Sequence, residues 1–255
     1  MKKVCIILLI SINFFTGFIK IEKQKSLITV AAASDLKFAM DSIISVFTKD
    51  HPDISINVVY GSSGKFFEQI SNYAPFDLFF SADIDYPKQL KEKGIAISDV
   101  QQYGIGRIVL WSKKIDPNKN KINSLLDNSI IKIAVANPVH APYGKRAEES
   151  MKYYKLYDAV KNKLVFGENI SQTAQYVTSG AADIGIVALS LALSPNMQKE
   201  NGKYWLIPQE SHEQLKQGFV ILSHAKENAG ATSFADFISS VKAKSILKYY
   251  GFTDK

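Results

Sequence analysis

Apolar residues along this chain fall into two alternating kinds of run. Short apolar runs bounded by small or polar residues read as buried strands. Stretches with apolar residues three and four apart read as helices. Residues 27–33, ending in three alanines, make the first short run. Behind it Leu36, Ala39, Met40, Ile43 and Phe47 recur at helical spacing, and Asp50, His51 and Pro52 close that helix. Ile54, Ile56, Val58 and Tyr60 then alternate as in a strand. "GSSG" at 61–64 turns into a helix carrying Phe66, Phe67 and Ile70. "FDLFFSAD" (76–83) predicts a short buried strand, and "YPKQLKEKG" (86–94) a helix stopped by Gly94.

The second half repeats the alternation. Strands are predicted in "RIVLWSK" (107–113), "IKIAVANP" (131–138), "KLVFG" (163–167), "ADIGIVALS" (182–190), "KYWLIP" (203–208) and "GFVILS" (218–223). Helices are predicted over 144–158 and from about Ser171 to a stop at Gly180, with one or two amphipathic helices in 233–252. Several strands thus pass through a turn of small or polar residues into a helix, which is the unit of a mostly parallel sheet. The fold class is α/β, and the number of units suits two lobes with a cleft between them. Ligands of such sheets bind beyond the carboxyl ends of the strands, where loops lead into helix N-termini.

The first residues break the pattern. "MKKVCIILLISINFFTGFIK" has a basic start, Lys2 and Lys3, and then an apolar stretch over 4–19, the shape of a secretory signal. No clean small-residue cleavage site is visible, so residues 1–26 are assigned to the signal with the cut between about 16 and 26; a retained anchor is the alternative. Cys5, the only cysteine, lies inside this segment. The mature chain is therefore expected to lack disulfides, a thiol nucleophile and cysteine-ligated metal. The net charge of +7 invites a nucleic-acid reading, but Lys2, Lys3 and Lys20 lie in or beside the signal. The other lysines are mixed with acids, as in "KQLKEK", which describes a solvated surface and no nucleic-acid partner.

The serine-bearing turns carry the chemistry. Taken singly, Ser34, Ser62 and Ser63 read as helix N-caps. Taken together they suggest more. A helix N-terminus offers unpaired N–H groups and a partial positive charge, a hydroxyl adds a donor, and small neighbours such as Ala31, Ala32, Ala33, Gly61 and Gly64 let a ligand come close. "NPVHAPYGK" (137–145) and "GENISQ" (167–172) stand at equivalent strand-to-helix turns. Four such turns could enclose a small oxyanion without any formal cation.

"ITVAAASDL", "YGSSGKFFEQI", "FDLFFSAD", "NPVHAPYG", "ENISQTAQYV", "ADIGIVALS" and the terminal "YYGF", in this order, resemble the periplasmic molybdate-binding proteins of ABC importers. The resemblance spans about residues 28–252. It implies a type II periplasmic-binding fold of two α/β lobes, with 27–106 plus 216–255 in lobe 1 and 107–215 in lobe 2. The chain is expected to cross between lobes near 103–107 and 214–218. The resemblance further implies a ligand, molybdate or tungstate, held in the cleft by neutral donors: hydroxyl and N–H of Ser34 and Ser63, and the backbone N–H of Tyr143 and Ile170. The metal would be bound as its oxyanion through these same residues, with no other cofactor. A membrane permease is the implied partner and a monomer outside the cytoplasm the implied form. Some members carry a tyrosine where this chain has Ala188, and the Tyr143 phenol is the candidate to replace that contact.

Three other readings compete with this one. A carrier of sulfate or another small oxyanion differs only in the size of the cleft. A hydrolase using Ser34 or Ser63 with His140 as base lacks a nucleophile-elbow spacing and an evident acid partner, so no catalytic residue is assigned. A DNA-binding regulator needs a helix-turn-helix ahead of the fold, and only about 27 residues precede it, with the look of a signal.

Overall fold

Two five-stranded sheets carry the fold in this computed structural model, which describes residues 26–254. The expected signal and Cys5 lie outside the described residues. The strands are β1 (Ser26–Ala33), β2 (Ile54–Gly61), β3 (Leu78–Ser81), β4 (Gln101–Gly106), β5 (Ile108–Ser112), β6 (Ile133–Ala136), β7 (Leu164–Gly167), β8 (Ile184–Ala188), β9 (Lys203–Leu206) and β10 (Leu215–Ile221). The first sheet has the order β2-β1-β3-β10-β4 and the second β7-β6-β8-β5-β9. One pattern is written twice. In each sheet three strands run parallel, then one strand runs antiparallel to both its neighbours.

That antiparallel strand is always the one arriving from the other lobe. β5 follows β4 across the single residue Arg107, and β10 follows β9 across 207–214. The sheets are therefore less parallel than the βα periodicity predicts, because a periodicity count does not see which strand makes the crossing. β4 lies outside every strand that the apolar pattern predicts. Its sequence, "QQYGIG", mixes polar residues and glycines, and it is held by pairing to β10.

Both faces of the first sheet are covered, and the period of two shows it. Ile28, Val30 and Ala32 of β1 enter one core with Phe80, Phe219 and Phe234, while Ala31 enters another with Phe66, Phe79 and Val220. The first core is closed by the helix Lys37–Asp50, through Ala39, Met40, Ile43 and Phe47, and by the C-terminal helices Ala229–Ile238 and Val241–Tyr249. Ala33 and Ala82 instead join the core of the second lobe, so the ends of β1 and of the β3 turn are where the lobes touch. Gly94 and Gly180 stop their helices with φ of 71° and 78°, the left-handed conformation that glycine adopts freely. The helix predicted over 144–158 is two: Pro142–Tyr153, then Tyr157–Val160, separated where Lys155 takes φ 59°.

Candidate functional site

Four strand-to-helix turns converge between the lobes. β1 ends at Ala33, and Ser34 opens a single 3-10 turn, Ser34–Leu36. β2 ends at Gly61, and Ser63 begins the helix Ser63–Ser71. From the second lobe come the helix Pro142–Tyr153, with proline at its first position, and the helix Ile170–Thr178, whose N-cap Asn169 accepts from the N–H of Gln172 at 3.0 Å. Ser34, Ser63, Tyr143 and Ile170 all line one small cavity, together with Ala33, Ala82, Ala141 and Asp35. No lysine, arginine or histidine is among its lining residues.

Ser34, Ser62 and Ser63 do not cap the turns they open. Ser62 holds the N-cap position of its helix but makes no capping bond, and no side chain caps the turn at Ser34. Ser34 Oγ accepts from Ser171 N–H at 3.2 Å and donates to Asn169 Oδ1 at 3.2 Å, and Ser171 Oγ donates to the Ser34 carbonyl at 2.8 Å. These bonds join the lobes. Ser63 Oγ accepts from Ala82 N–H at 3.0 Å, which pins the oxygen and leaves its own proton for another acceptor. First-turn N–H groups have no intrahelical partner. Gly64, Gly144, Ser171 and Gln172 find acceptors nearby. Of the first-turn N–H groups of these α-helices, those of Ser63, Tyr143 and Ile170 belong to cavity-lining residues and have no such acceptor.

A buried polar cluster backs the cavity. Asp35 is 1% exposed. Its Oδ2 accepts from the Tyr143 hydroxyl at 2.8 Å and from Gln217 Nε2 at 2.9 Å, and Gln217 Oε1 accepts from the Tyr103 hydroxyl at 2.6 Å. The Ser190 hydroxyl donates to the Asp35 carbonyl at 2.8 Å. Burial pushes the Asp35 carboxyl up to about 6, against the pull of Gln217, Tyr143 and the N–H groups of Asp35 and Leu36. Burial, and then the Asp35 charge, holds the Tyr103 and Tyr143 phenols well above their ordinary range. The Tyr143 phenol, the candidate to reach the ligand in place of the hydroxyl missing at Ala188, is thus engaged by Asp35 and Gln217.

Sequence reasoning missed Asp35, Gln217 and Ser190. Asp35 passes for an ordinary acid in a first helical turn, and Gln217 lies about 180 residues away in β10. Ser190 stands two residues beyond Ala188, so its place beside Asp35 was not visible from the strand pattern.

His140 meets Ser62, with Nδ1 to Oγ at 3.0 Å, and its Nε2 lies 3.9 Å from Glu168. An acid partner therefore exists, although neither Ser34 nor Ser63 faces the imidazole. The Ser62 proton goes to the carbonyl oxygen of His140, not to the ring, which is a structural tie between lobes. Among the described residues no group of three or more His, Cys, Asp or Glu is arranged to hold a metal ion, and no helix is long and apolar enough to cross a membrane. A wider groove opens beyond Asn169 and Ser171, walled by Lys37, Phe38, Leu191 and Met197. It gathers only one of the four turns.

The model of a bacterial extracellular solute-binding protein family matches residues 28–253. The molybdate-binding protein ModA of Azotobacter vinelandii is 33% identical over 237 residues, 92% of this chain and 93% of that protein. That of Rhodobacter capsulatus is 34% identical over 228 residues, 88% of this chain and 87% of the relative. The solved structure of the Azotobacter vinelandii periplasmic molybdate-binding protein superposes with a TM-score of 0.82 at 31% identity, over 89% of this chain and 99% of that one.

Proposed function

The chain belongs to the bacterial extracellular solute-binding proteins, and within them to the molybdate-binding proteins of ABC importers; from that premise we propose that it captures molybdate or tungstate in its interlobe cavity and delivers the anion to a membrane permease. The observation that carries this reading is the convergence of Ser34, Ser63, Tyr143 and Ile170 on one cavity that no cation lines. A tetrahedral dianion entering it exchanges water for N–H and O–H donors aimed from both lobes, and each such bond is charge-assisted. Ser63 gives hydroxyl and N–H, Ser34 gives N–H and, once its hydroxyl turns from Asn169 Oδ1 to the anion, the hydroxyl too, and Tyr143 and Ile170 give N–H. Without a formal cation, release to the permease stays within reach. The protein works as a monomer outside the cytoplasm, sent there by residues 1–26, and performs no catalysis of its own.

Calorimetric titration with molybdate, tungstate, sulfate and phosphate tests the reading. Molybdate and tungstate, similar in size and equal in charge, should bind nearly alike. Sulfate, being smaller, cannot meet donors fixed in both lobes at once and should bind far more weakly. Equal affinity for sulfate and molybdate would sink the molybdate assignment in favour of a general oxyanion carrier.

A further inference from the structure

Asp35 is an odd residue to find beside a dianion. It lines the same cavity as Ser34, Ser63, Tyr143 and Ile170, and it is buried. Its two oxygens are used unequally. Oδ2 accepts two hydrogen bonds, from Tyr143 and Gln217, whereas Oδ1 is buried and makes no well-formed hydrogen bond, the N–H groups of Asp35 and Leu36 acting on the carboxyl only from its own turn. The groups that face the carboxyl from the packed elements are all neutral. They are Tyr143 from the helix Pro142–Tyr153, Gln217 from β10, Tyr103 from β4 through Gln217, and Ser190, which takes the backbone carbonyl. An ionised Asp35 would have no counter-charge and would repel the anion across the cavity. A neutral Asp35 would have a hydroxyl to donate from Oδ1.

We propose that Asp35 binds the oxyanion as the neutral carboxylic acid, its Oδ1–H donating to an anion oxygen, so that each molybdate captured takes up one proton. The inference rests on the oxyanion reading above and deepens it. The proton comes from solvent, moves to Oδ1, and leaves again when the anion does. The same carboxyl sorts ligands. An ionised Asp35 would accept from an oxyanion that still carries a proton, such as hydrogen phosphate, whereas the acid form suits an anion that carries none. Burial already lifts the carboxyl to about 6, and a neighbouring dianion lifts it further.

The sign follows by linkage. Below about pH 6 the free protein already holds the proton, and affinity is flat. Above it each molybdate must bring a proton in, and affinity falls towards tenfold per pH unit. The test is calorimetric titration of the mature chain with molybdate from about pH 6 to about pH 8.5, in buffers of different ionisation enthalpy. The expected result is that falling affinity, with one proton taken up per anion at the alkaline end. Asp35→Asn, which carries a permanent donor of the same shape, should bind with affinity flat in pH and no proton uptake. His140→Asn, removing the imidazole on Ser62, should keep the slope. Tight binding by the parent with flat affinity and no proton uptake overturns the inference and leaves the oxyanion reading standing, even if Asp35→Asn fails to fold. A slope that persists in Asp35→Asn overturns it too. Failure of the parent to bind any oxyanion at any pH overturns the oxyanion reading itself, and this inference with it.

Discussion

Ser63 and Tyr143 both bring a hydroxyl to the binding region, and their surroundings give those hydroxyls different work. Ala82 N–H holds the Ser63 oxygen, so the serine proton is free for another acceptor, in the proposed site the anion. The Tyr143 proton is committed to Asp35, and its oxygen to Gln217. Ser63→Ala should therefore cost a bond to a charged ligand, about 1.5–3 kcal/mol, on the order of tenfold to a hundredfold in molybdate affinity. Tyr143→Phe removes a bond between neutral groups when Asp35 is protonated, and keeps the backbone N–H. Its cost should be about 1 kcal/mol, less than tenfold. Titration of the two variants at one pH checks the order, and a larger loss for Tyr143→Phe would mean that the phenol touches the ligand directly.

In the proposed site the helix N-termini set what can be held, and glycines set how close they come. A β-carbon on Gly64 would sit 2.6 Å from the His140 carbonyl oxygen of the other lobe, the same oxygen that accepts from Gly64 N–H at 2.9 Å. The contact is backbone to backbone, so little can give way. Gly64→Ala should hold the lobes slightly apart while leaving each sheet intact, since the clash lies between them. An overpacking cost of about 1–3 kcal/mol should appear as roughly tenfold to hundredfold weaker molybdate binding, with an unchanged far-ultraviolet circular dichroism spectrum. Unweakened binding would show that the Gly64–His140 contact is absent from the liganded form. Much at this scale was legible in advance. The serine turns, the glycine stops and the helix starts are local properties of the chain. The break at Lys155 was not legible, because "KYYKLY" keeps helical spacing across it.

At the scale of the whole molecule the described structure is a closed one. Ser34 bonds to Asn169 and Ser171, Asp35 to Tyr143 and Ser190, and Gly64 to His140, all from one lobe to the other. The cavity they enclose has a free volume of about 10 Å³, close to what a single water needs. A tetrahedral oxyanion can enter only when the lobes part, with Arg107 and 207–214 as the two strands of chain that let them. The anion then stabilises closure by as much as it binds the closed form better than the open one. Small-angle scattering should show a smaller radius with molybdate than without. Tight binding without any change in radius would mean a site that is complete in the resting form.

The division of labour between sequence and fold runs along distance in the chain. Periodicity alone determined the βα units, because burial of a strand on both faces and of a helix on one is written within a dozen residues. The small and serine-rich turns determined that donors would gather at the strand ends, and the order of seven motifs pointed to the family. The fold alone decided that β5 and β10 each cross into the other sheet, since pairing partners there lie up to about 140 residues apart. It also decided how the four turns would be backed. Asp35, Tyr143, Gln217 and Tyr103 come from four separate elements and meet only when both lobes are built. The charge state of Asp35 belongs to that meeting. A carboxyl in the sequence is an ordinary acid, and only removal from water among neutral partners makes it hold a proton near pH 6.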